Sequence, residues 1–166
     1  CNDNTGGFVK SNFNKIDFIE NKYYTFDNLN EITEGDISVF KTDTDGLDLF
    51  IVKDFLNSNI KTANSTIINM EFSPIDNITD KKYVENFLLF LENKNYCVAI
   101  FDNRGAPIIF SKNLKSSMIM DLMNYIEFSK SSSVQPYHYL DLWLFPQGKQ
   151  KVFQKVEGAY RSREAM

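Results

Sequence analysis

Residues 96–110 (YCVAIFDNRGAPIIF) constrain the chain most strongly. Two runs rich in apolar and β-branched residues flank Asn103-Arg104-Gly105, a turn-forming triplet, so the segment reads as a strand, a tight turn and a returning strand. Pro107 has no N–H to give to a ladder, which places the second strand at a sheet edge or Pro107 near that strand's start. Asp102 to Gly105 read as turn chemistry, with Arg104 also available as an anchor at a protein interface.

Other segments add to a sheet. Residues 37–42 (ISVFKT), 66–72 (TIINMEF) and 137–145 (YHYLDLWLF) read as strands, and residues 15–20 and 23–26 as a hairpin or bent pair. Asp45-Gly46 lies between residues 37–42 and 47–52 (LDLFIV), which predicts a type I′ hairpin because both turn residues tolerate positive φ. Residues 152–156 (VFQKV) read as a last strand after the turn at residues 146–149.

Two helices are expected. Asp80 can cap the first, in which Tyr83, Val84, Phe87, Leu88 and Leu91 share a face widened by Leu89 and Phe90. Asn113 can cap the second, which runs to about Lys130 with Leu114, Met118, Leu122, Tyr125 and Ile126 as its stripe. The expectation is therefore an α+β fold: a single domain with a mainly antiparallel β-sheet and two helices, and a C-terminal ββαββ order. The boundaries are a tether at residues 1–13, the domain at 14–157 and a tail at 158–166. The ββαββ order resembles that of profilin-like and roadblock-like modules, in element order alone.

The 166 residues suffice for one core, and 43% hydrophobic with 24% charged residues exclude wholesale disorder. Apolar runs such as residues 87–91 (FLLFL) are far short of the roughly 20 residues that span a bilayer. The net charge of −4 disfavours a nucleic-acid partner. That charge is uneven. Residues 17–54 hold ten acids and three lysines, whereas residues 112–166 hold eight bases and five acids. Glu31, Glu34, Asp36, Asp43, Asp45 and Asp48 form an acidic, loop-rich lobe able to steer a basic protein partner. A solvated hairpin face explains the same acids.

No cofactor or metal site is expected. If Gly46 is set at position 6 of a calcium-binding EF-hand loop, Lys41 falls at position 1 and Val52 at position 12, where acids are needed. Phosphate-loop, dinucleotide, nucleophile-elbow and zinc-protease motifs do not occur. Cys97 reads as a buried thiol in an apolar strand. His138, flanked by Tyr137 and Tyr139, would need a nucleophile or carboxylate beside it to act in acid-base chemistry.

The stretch Cys1-Asn-Asp-Asn-Thr-Gly-Gly resembles the start of a mature bacterial lipoprotein, a polar Gly-containing tether behind an acylatable Cys. The resemblance implies a lipid anchor on Cys1 at the periplasmic face of a bacterial membrane. An N-terminal nucleophile and a fragment boundary compete as readings of Cys1. The leading expectation is a lipid-anchored envelope protein that is not an enzyme and works by binding another protein, for instance an immunity protein that neutralises a periplasmic toxin. Alternatives are an accessory lipoprotein of a secretion or conjugation assembly, and a small hydrolase using Cys1 or His138.

Overall fold

The computed structural model describes residue 26 and residues 36–44, 46–73, 81–131 and 139–162. In chain order the elements are β1 (Val39–Thr42), α1 (Asp48–Asn57), β2 (Ile67–Phe72), α2 (Lys81–Asn93), β3 (Cys97–Asp102), β4 (Pro107–Ser111), α3 (Ser116–Ser131), β5 (Leu140–Phe145) and α4 (Gln150–Arg161). Short 3-10 turns stand at Ala63–Ser65 and Gln147–Lys149. No described helix is long and apolar enough to cross a membrane.

The strands form one five-stranded sheet in the order β1-β2-β5-β3-β4. β1 and β2 are parallel, and the other three pairings are antiparallel. The α+β class and the mainly antiparallel sheet thus agree with the sequence reading. The strands at residues 66–72, 96–102 and 106–110 fall where expected, and Pro107 opens the edge strand β4. Gly105 has φ +78, and the Asp102 carboxylate accepts the N–H groups of Arg104 and Ala106, both at 2.8 Å. This is the turn chemistry read from the triplet.

Side chains alternate between the two faces because the strand period is two. On one face Ile68, Met70 and Phe72 of β2, Leu140, Leu142 and Leu144 of β5, and Val98 and Ile100 of β3 meet α1, α2 and α3 in the main core. On the other, Cys97, Ala99, Phe101 and Phe145 meet Phe153 of α4 in a smaller one. Cys97 is buried, as expected.

Among the described residues four helices stand where two were expected, and both additions correct a strand assignment. Residues 47–52 are not the second arm of a hairpin, because α1 begins at Asp48. Gly46 keeps the positive φ of a turn, at 103°, but the chain turns there into a helical crossover. Parallel neighbours such as β1 and β2 require a crossover, which a two-residue turn cannot supply. Leu49, Val52 and Leu56 bury one helical stripe, and six residues were too few to separate that period from alternation.

Residues 152–156 are likewise helical, within α4. Phe153, Val156 and Tyr160 recur at i, i+3 and i+7, and Tyr160 packs 5.2 Å from Phe101 and 5.9 Å from Phe110. The ββαββ order therefore ends in a helix. The proposed boundary between residues 157 and 158 falls inside α4, whose last turn is packed.

Smaller differences concern helix faces. In α2, Val84, Phe87, Leu88 and Leu91 are buried as expected, but Leu89 is half exposed. α3 buries Ile126 as expected together with Ile119 and Met123, while Met118 and Leu122 are partly buried against the core and Tyr125 is exposed. It starts at Ser116 without an Asn113 cap. The Glu92 carboxylate of α2 instead accepts the Ser116 N–H at 2.9 Å and hydroxyl at 2.7 Å, and takes Lys115 Nζ at 2.9 Å. The residue 15–25 strands, the Asp80 cap and the tether lie outside the described residues. Phe26 packs edge-on against Phe40 and Phe55 at 5.6 and 5.5 Å.

Two predictions follow from this packing. Phe153→Ala should cost about 3–5 kcal/mol, because it empties the centre of the smaller core, and chemical denaturation measures the loss. Glu92 is held down to about 2, first by the Ser116 backbone N–H and then by Lys115 and the Ser116 hydroxyl. Its contribution is present above the ordinary carboxylate range and lost as pH falls toward 2. Glu92→Ala should therefore melt below wild type at pH 7, with the gap narrowing between pH 5 and pH 2 in thermal melts.

Candidate functional site

α4 covers the β3, β4 and β5 part of its sheet face. The β1 and β2 part carries a different set of side chains. In β2, Asn69 and Glu71 alternate with Ile68, Met70 and Phe72, so both polar residues share the α4-side face. Registry places Lys41 of β1 beside Asn69, and Trp143 of β5 on its other side. Glu71 pairs with Asp141 of β5 one step along. Lys41, Asn69, Glu71, Asp141 and Trp143 thus form a continuous patch, and Asp43, just after β1, closes it.

The electrostatics are those of a carboxylate cluster with one internal cation. Lys41 Nζ lies 3.1 Å from Asp43 Oδ2, and the Lys41 ammonium is raised above its ordinary value, first by that hydrogen bond and then by the charge of Asp43. Asp43 is held below the usual carboxylate value by its hydrogen bonds with Lys41 and then with Glu71. Asp141 is pushed up, chiefly by burial, against the opposing pull of Lys41. The Asp43–Glu71 hydrogen bond requires one shared proton, so with Asp141 ionised the cluster keeps one negative charge beyond what Lys41 neutralises.

Asn69 lies at the floor of this patch. It is only 4% exposed, and its Nδ2 has no hydrogen-bond partner among the described residues. A buried, unpaired amide donor costs about 1–3 kcal/mol, so each such group in a folded protein calls for an explanation.

The acids singled out in the sequence fare unequally. Asp36 and Asp43 are exposed at the two ends of β1. Asp48 points inward, 2% exposed, where its carboxylate accepts the Thr42 hydroxyl at 2.8 Å and the Thr44 hydroxyl at 3.1 Å. It ties the end of β1 to the first turn of α1 and presents no charge to a partner. Arg104 is exposed in the β3–β4 turn, on the sheet edge opposite β1, so the fold does not bring it to the acids. Glu31, Glu34, Asp45, Cys1 and His138 lie outside the described residues.

Sequence reasoning missed Asn69, Glu71, Asp141 and Trp143. A signal existed: IINMEF and LDLWLF both place polar or amphipathic residues at alternate positions, marking a second sheet face. Among the described residues no group of three or more His, Cys, Asp or Glu is placed to hold a metal ion.

Two substitutions test the patch. Asn69→Leu removes the unpaired amide while keeping its heavy-atom count and branching, and should stabilise the fold by about 1 kcal/mol, measured by denaturant titration. Asp141→Asn should raise the melting temperature at pH 7, because burial disfavours the Asp141 charge. That gain should fade as pH falls through the raised carboxyl value and vanish below about pH 3.8, where folded and unfolded forms are both protonated. No family model matches the chain, and neither curated proteins nor solved structures yield a match.

Proposed function

We propose that the protein binds a basic partner protein through the Asp43, Glu71 and Asp141 patch, as a lipid-anchored component of a bacterial envelope rather than as an enzyme. The observation that carries the binding reading is the gathering of the Asp43, Glu71 and Asp141 carboxylates around Lys41. A partner that brings an ammonium or guanidinium to the carboxylates answers the charge, and Trp143 beside them offers an aromatic face for the same cation. An immunity protein that occupies the basic surface of a periplasmic toxin is one concrete form of this function. The anchor rests on Cys1 and the polar Gly-containing stretch after it.

The charge argument predicts a salt-sensitive complex. Capture from envelope extract should weaken about tenfold on moving from low to high salt, and Asp43→Asn/Glu71→Gln/Asp141→Asn should lose the same partner at low salt. A partner retained by the triple variant, or bound equally at high salt, would refute this use of the patch. For the anchor, metabolic labelling with a radioactive fatty acid should mark the wild-type chain and not Cys1→Ser.

A further inference from the structure

We propose that β4 and the adjoining flank of α4 form a second docking edge, which takes an extended, acidic segment of a partner protein. β4 is the outer strand of the sheet and pairs with β3 alone among the described residues, so its outward backbone groups are available to an added strand. Pro107 has no N–H to offer, so the backbone donors along this edge come from residues 108–111.

Beside this edge lies a cavity of about 130 Å³, lined by Pro107, Ile108, Phe110, Tyr160 and Arg161. Arg161 is held in place by Glu157, whose Oε1 accepts from Nε at 3.1 Å and Nη2 at 2.9 Å. That contact uses one edge of the guanidinium and leaves the Nη1 side to receive a second carboxylate. In a strand laid along β4, alternate side chains project toward α4, and one of them falls at this cavity.

Charge selects the occupant. Residues 103–112 and 147–162 carry Arg104, Lys112, Lys149, Lys151, Lys155 and Arg161 against one acid, Glu157. A second copy paired antiparallel through β4 would bring Arg104 of one chain toward Lys112 of the other, which opposes self-association. An acidic segment meets attraction at both ends of the strand and at Arg161. This edge is at the opposite side of the sheet from β1, so the proposal does not depend on the acidic patch.

The test uses the full chain with two short fluorescent peptides, one alternating valine and glutamate and one alternating valine and lysine. The glutamate peptide should bind by anisotropy and the lysine peptide should not. Affinity should fall about tenfold with Arg161→Ala, and further with Arg104→Glu/Lys112→Glu. Hydrogen exchange should slow at the amides of residues 108–111 when the glutamate peptide is added. Each variant alters exposed side chains, and an unchanged circular-dichroism melt confirms its fold. Equal binding of both peptides, indifference to Arg161→Ala, or protection confined to other segments would overturn the proposal. So would concentration-dependent self-association that protects the same amides, which would make the occupant a second copy.

Discussion

The fold depends on the insertion of β5 between β2 and β3. Leu144 stands between Ile68 and Val98, and Leu142 between Met70 and Ile100, in continuous rows across the sheet. All six side chains are fully buried. Without β5 the strands would fall into two pairs, β1 with β2 and β3 with β4, linked on the core face by the packing of α2 on α3. Each exposes one long apolar strand edge. The strand that joins them comes late in the chain, so its pairing with β2 carries a long-range loop-closure cost.

That central strand also divides the molecule electrostatically and by shape. Its Leu140, Leu142 and Leu144 side feeds the main core under three helices. Its Asp141, Trp143 and Phe145 side faces α4, which is too short to cover the whole second face. Phe145 falls under α4, whereas Asp141 joins Lys41 and Glu71 toward β1. The uneven charge seen along the chain thereby becomes a spatial separation. Acids gather by β1 and β2, and bases by β4 and α4. Two different kinds of surface result on one small sheet, an acidic floor and a basic edge.

The parts that were legible in the sequence share a local cause. Asp102 to Gly105 form their turn from contacts a few residues apart, and the strands on either side follow from it. In α2 the apolar residues recur for more than two turns, enough to fix the period. α1 and α4 were missed because LDLFIV and VFQKV are short, and over five or six residues an alternating and a helical stripe coincide. What decides between them is the partner surface. α1 is needed to cross between parallel strands, and α4 has aromatic rings of β3 and β4 to cover.

The candidate site divides the same way. Asp36 and Asp43 could be named from charge alone, since exposed loop acids stay exposed in most folds. Asp48, in the same acidic run, was turned into a buried link by two threonines, which charge counting does not reveal. Asn69, Glu71 and Asp141 are scattered across the chain and become one patch only through strand registry. The sequence by itself determined an α+β fold with a mainly antiparallel sheet, its strongest turn and its uneven charge, because each depends on residue type and near neighbours. Only the tertiary structure decided which acids meet and which part of the second face α4 covers, because those depend on which distant strands pair and on how far one helix reaches.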